Sequence, residues 1–164
     1  MLNFKPLKPI TEEFFKTANL RASAVMEANC SAEKLMETLA GDVIWTQWAP
    51  ALKKVEWTSP KPYGQGAKRT VYLAGNQAVK ENFFIWKDKE QVAFYVEEGT
   101  VPGLESFAEN YVIEVINDGR TVRMTWTVAI QVTGIGALFI PVSRFFMELT
   151  FKRWLQTYKR ILES

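Results

Sequence analysis

Histidine is absent from the 164 residues, and cysteine occurs once, at Cys30. These shortages remove Ser-His-Asp and Cys-His nucleophilic sites, histidine general bases, and nearly every zinc or non-haem iron site. No metal or organic cofactor is expected, and acid-base chemistry would fall to Asp, Glu, Lys or Tyr. A lone cysteine cannot close an internal disulfide, which fits a reducing, cytoplasmic setting. Cys30 itself reads as small buried filler. An excess of one charge is also missing: 20 basic residues against 18 acidic leave +2, spread along the chain, so nothing marks a nucleic-acid surface. Met1 to Ile10 lacks the apolar centre of a signal peptide. Long apolar runs are scarce too. The uncharged stretch from Met124 to Ser143 is twenty residues, the length that spans a bilayer, but Gly134, Gly136 and Pro141 interrupt it and its first half alternates like a strand.

What the chain has in quantity is apolar bulk. Hydrophobic residues make up 48% of it and aromatics 13%, with six Trp and eleven Phe. A single domain of this length buries roughly 70% of its unfolded surface, enough for a core with room for a ligand.

The apolar pattern is organised around the last long segment. Leu138 to Leu162 reads as one helix whose second half gathers Met147, Phe151, Trp154, Tyr158 and Ile161 on one face, with Lys152, Lys159 and Arg160 opposite. Its first half is apolar on another side, at Leu138, Val142, Phe145, Phe146 and Leu149. A helix break would explain that turn of the stripe. So would a mobile gate, Gly134 to Pro141, that also touches a membrane transiently, a partner subunit or the ligand; in an interaction protein the apolar patch Gly134 to Phe146 would meet a partner or a second copy.

Ahead of this helix, residues 1–17 read as a loose arm ending in a short helical turn anchored by Phe14 and Phe15. Residues 18–164 read as one domain. Asn19 to Asn29 alternates as a half-buried strand, with Ala22, Ala24, Met26 and Ala28 inward. Ser31 caps a short helix with the stripe Ala32, Leu35, Met36 and Leu39, and Val43 to Trp48 forms a second. Six strands follow: 52–58, 67–74, 77–87, 91–97, 107–116 and 120–132. The turn signals between them, among them Gly75-Asn76 and Asp118-Gly119, make neighbours antiparallel. Gly64-Gln65-Gly66 has no helix after it to hold a phosphate, so it reads as a positive-φ hairpin.

In order, Met26-Glu27-Ala28-Asn29-Cys30-Ser31-Ala32-Glu33-Lys34-Leu35-Met36, then Trp45, Trp48-Ala49-Pro50, Val55-Glu56-Trp57, Gly64-Gln65-Gly66, Glu81, Tyr111 and the closing helix resemble the polyketide cyclase/dehydratase and START-related superfamily. The resemblance covers about residues 18–162. It implies an α+β helix-grip fold: a curved seven-stranded antiparallel sheet wrapped around a long C-terminal helix, with two short helices after the first strand and a cavity between sheet and helix. It also implies a hydrophobic small-molecule partner. Lipid carriers, hormone receptors and aromatase/cyclases share the fold, so activity stays open.

Strand parity nominates the wall of that cavity. Val79, Glu81, Phe83 and Ile85 share a face, leaving Glu81 a lone acid among apolar neighbours, and the resemblance supports the same parity. Burial raises such a carboxyl, which suits it to anchor a ligand hydroxyl or to serve as a neutral acid; a locally satisfied strand Glu is the alternative. Tyr111 brings a hydroxyl to a greasy wall, or is a core Tyr bonded to backbone. Glu81 and Tyr111 are the candidate acid-base pair. The candidate ligand contacts are Glu81, Phe83, Phe94, Tyr111, Ile113, Met124, Trp126, Phe145 and Leu149. Glu109 is expected near a strand start, at the rim or wet.

Overall fold

The computed structural model describes residues 2–164, with the side chains at 135 and 136 outside the description. The chain runs β1 (Lys5–Pro6), α1 (Phe14–Thr17), β2 (Leu20–Ala28), α2 (Ala32–Leu39), α3 (Val43–Trp48), β3 (Leu52–Trp57), β4 (Lys68–Leu73), β5 (Gln77–Lys87), β6 (Gln91–Gly99), β7 (Leu104–Ile116) and β8 (Thr121–Val132). A 3₁₀ turn over Gly134–Phe139 then leads into α4 (Ile140–Glu163). Seven antiparallel strands lie in the order β2-β8-β7-β6-β5-β4-β3. This is the curved sheet and long terminal helix of the helix-grip fold.

Local chemistry sets each element. β2 alternates buried and exposed along its whole length, with Ala22, Ala24, Met26 and Ala28 inward. The Ser31 side chain accepts from the Lys34 amide and caps α2, whose stripe Ala32, Leu35, Met36 and Leu39 is buried. Pro141 is tolerated in the first turn of α4, where its missing N–H costs nothing. Phe151, Leu155, Tyr158 and Leu162 seat α4 in the core, with Met147, Trp154 and Ile161 half-buried beside them.

Several expectations need correcting. The arm is pinned rather than loose: β1 pairs with β6, the Leu7 amide donates to Glu97 O, and the Lys8 amide donates to Glu105 O. It fills the gap where β6 and β7 part. On β5, Phe84 is an extra residue opposite β6, because Phe83 pairs with Phe94 and Ile85 with Ala93. Such a bulge reverses parity. Trp86 therefore turns inward onto Phe83, at 5.2 Å between ring centres, and Ile85 leaves the face it was assigned.

The helix does not break where the stripe turns. α4 is continuous, and its first half points its apolar residues away from the core: Leu138 of the 3₁₀ turn is 78% exposed, Phe145 64% and Leu149 40%. Phe145 and Leu149 are thus on an outer ridge, opposite the cavity-facing side that their assignment as ligand contacts required. The residues 135 and 136 of the expected gate lie outside the described side chains. No helix among the described residues is long and apolar enough to cross a membrane. Phe145→Glu and Phe146→Glu are each expected to change unfolding free energy by less than about 0.5 kcal/mol, as exposed substitutions do. Chemical denaturation measures it, and a larger loss would mean that a second copy covers this ridge in solution.

Candidate ligand-binding site

The concave face of the sheet, α3 and the middle of α4 border a partly open cavity of about 360 Å³. Each element contributes through its spacing. Trp45 and Trp48, three apart on α3, present one face to it, and Met147, Phe151 and Trp154 do the same from α4. The sheet contributes inward-parity residues such as Val71, Val79, Val96 and Val128.

Three charged side chains stand in this apolar wall. The β4–β5 register places Arg69 directly opposite Glu81, and Arg69 Nε donates to Glu81 Oε2 at 2.5 Å. Both are sealed in, at 1% and 6% side-chain exposure. Rings surround the guanidinium: its carbon lies 4.2 Å from the centre of Trp45 and 4.9 Å from those of Phe83 and Phe94. Desolvated cation–π contacts of this kind offset part of the cost of burying the cation. Burial pushes Glu81 above the ordinary carboxylate range, against the pull of Arg69.

Glu109 is the third. It sits mid-strand on β7, between Phe94 of β6 and Val128 of β8, and it lines the cavity. The Tyr111 hydroxyl, two residues on and on the same face, donates to its Oε2. Trp126 Nε1, one strand across, donates to the same oxygen at 2.8 Å. Trp126 is opposite Tyr111 in register, and the two rings stack at 7°. Burial raises Glu109 to about 7, with the charge of Glu81 adding to the shift. The bonds from Tyr111 and Trp126 oppose it, as does Arg69 more weakly. Burial and the neighbouring Glu109 hold Tyr111 well above its ordinary value, so its hydroxyl stays a donor.

The structure brings four of the sequence-derived wall residues to the cavity and places the others elsewhere. Glu81, Phe94, Tyr111 and Trp126 line the cavity. Phe83 does not: it packs behind the Arg69 guanidinium. Ile113 and Met124 pair with each other two rungs past Tyr111 and Trp126, in the packed core that also holds Leu155 and Leu162. Glu109 stands mid-strand in the cavity wall, half-buried, and Tyr111 bonds to it rather than to backbone. Arg69 was missed, although it shares parity with the inward Val71 and Leu73.

Residues 19–164 match the family described as polyketide cyclase / dehydrase and lipid transport. The chain belongs to this family. An uncharacterised protein of Mycobacterium tuberculosis is 30% identical over 159 residues, which is 97% of this chain and 94% of that one. An uncharacterised Mycobacterium bovis protein matches to the same extent. Solved structures share the fold at lower identity. A START superfamily protein from Mycobacterium smegmatis superposes with a TM-score of 0.70 at 12% identity, covering 87% of this chain and 97% of its own. The Zhui aromatase/cyclase from a Streptomyces species does so with a TM-score of 0.63 at 14% identity, covering 87% and 90%. In this member of the polyketide cyclase/dehydrase and lipid transport family, the polar groups in the cavity wall are the Arg69–Glu81 pair and the Glu109–Tyr111–Trp126 cluster.

Proposed function

We propose that the protein binds an apolar or amphipathic small molecule, of lipid or polyketide-like character, in the cavity between sheet and helix. The observation that carries this is a partly open cavity of about 360 Å³ walled by aromatic and aliphatic side chains, with a few polar groups inside. Ligand pockets are apolar chambers of about 300–1,000 Å³ with a small number of orienting polar groups. The family description, with its cyclases and lipid transport, supports the same class.

Filling the space tests the reading. Val128 points into the cavity from β8. Val128→Phe is expected to weaken binding of the neutral fluorophore N-phenyl-1-naphthylamine at least tenfold, with an unchanged far-UV spectrum. Unaltered titration curves would show that the cavity is not where the probe binds.

A second reading, a cofactor-free cyclase or dehydratase, is supported by the poise of Glu109, since a carboxyl near neutrality serves as both acid and base. In this reading Glu109 takes the role that sequence assigned to Glu81, because Glu81 is held by Arg69. Tyr111 then orients the carboxyl rather than exchanging protons itself. The two readings separate on whether the bound molecule is released chemically changed.

A further inference from the structure

We propose that the cavity selects an uncharged molecule bearing an oxygen acceptor, a carbonyl being the simplest, and that Arg69 receives that oxygen. This rests on the ligand-binding reading above and specifies the occupant. A guanidinium carries five N–H donors. Among the described residues, Arg69 makes one hydrogen bond, from Nε to Glu81 Oε2, and its Nη1 is shut off from solvent with no acceptor at all. Leaving a buried donor of a charged group unmatched is costly, so Nη1 calls for an acceptor that the described residues do not supply. Rings of Trp45, Phe83 and Phe94 flank the guanidinium within 5 Å, so its unmatched donors lie along the N–H edge. Arg69 is itself part of the cavity wall.

The charges already present decide which acceptor fits. Glu81 and Glu109 share the wall with this one cation, and Glu81 already neutralises it. A ligand carboxylate would bring a third acid into a desolvated space with no further cation among the lining residues. A neutral oxygen takes the N–H without adding charge. Glu109 favours the same choice, because its Oε2 already accepts two bonds while nothing among the described residues meets its Oε1. A proton on Glu109 therefore belongs on Oε1, the oxygen free of protein donors, where it forms a second donor for a carbonyl.

A matched trio of probes tests this by displacement of N-phenyl-1-naphthylamine: 2-acetylnaphthalene, 2-ethylnaphthalene and 2-naphthoate, which share a ring system and differ in the polar group. The acetyl compound is expected to compete about tenfold better than the ethyl compound, and at least tenfold better than the carboxylate. In Arg69→Met/Glu81→Gln, which removes both buried charges together, the gap between acetyl and ethyl, each measured against the affinity of the fluorophore for that same variant, is expected to close to about twofold. Equal competition by acetyl and ethyl in the wild type would overturn the proposal and leave the cavity as a plain apolar site. So would a preference for 2-naphthoate, or an acetyl preference that survives in the double variant. If that variant does not fold, the wild-type trio decides alone. Failure of the fluorophore and all three probes to bind would instead remove the ligand-binding reading, and this proposal with it.

Discussion

Arg69→Met is expected to lower the unfolding free energy by about 3–5 kcal/mol, a large share of the total for a domain of this size. The cause is what the substitution leaves behind. Glu81 would lose its bond at 2.5 Å and remain at 6% exposure among apolar side chains. An acid in that position protonates rather than stays charged, so the loss depends on pH. Without the pull of Arg69, the folded-state value of Glu81 rises further above its unfolded one. The folded state then binds the extra proton, and stability falls as pH rises from the ordinary carboxylate range toward that raised value. The single variant should therefore be sturdiest in acid. Adding Glu81→Gln removes the stranded charge and is expected to restore most of the loss at neutral pH. Urea denaturation of both single variants and the double variant gives the coupling directly. A loss below about 1 kcal/mol in Arg69→Met would mean that water reaches the pair and the site is open.

Much of this architecture can be read from residue order, and the exceptions have definite causes. The alternation of β2, the Ser31 cap and the stripe of α2 are local signals, and the structure keeps each of them. The inward parity of Glu81 is local too. Its partner was available by register: a three-residue loop, Ala74 to Asn76, joins Leu73 to Gln77, and counting back four rungs sets Arg69 against Glu81. What hid it is the expectation that a charged residue is solvated, a rule that buried pairs break. Glu109 was hidden by a boundary. β7 begins at Leu104, three residues before the expected start, which moves Glu109 from a strand end to the middle of the wall. The bulge at Phe84 has no composition of its own, so alternation carried past it fails for Ile85 and Trp86. The outer ridge of α4 reverses a habit of reading, since an apolar stripe is assigned inward by default while Leu138 to Leu149 presents its bulk to solvent.

Glu109→Gln is expected to make the protein more stable above pH 7, by up to about 3 kcal/mol, and to leave it little changed near pH 4.5. Glu109 titrates near 7 in the folded chain against an ordinary value of 4.5, so over that interval the folded state holds a proton that the unfolded chain has released. Stability is complete below 4.5 and declines as pH climbs to 7, by about 1.4 kcal/mol for each unit between the two values. Because Glu109 lines a cavity, any water there softens the shift, which makes 3 kcal/mol the upper figure. Glutamine keeps an oxygen for the Tyr111 hydroxyl and Trp126 Nε1 to donate to, and it carries no charge to desolvate. The comparison is the difference between wild type and variant in urea denaturation at pH 5 and pH 8, in which the other carboxylates cancel. Parallel curves at the two values would mean that Glu109 titrates as an ordinary carboxylate, and with that the acid-base reading of the cavity would lose its base. A gap that opens with pH would establish a carboxyl held half-protonated at neutrality inside an apolar chamber. That state is unfavourable for folding alone, and it is the one that the acid-base reading of the cavity requires.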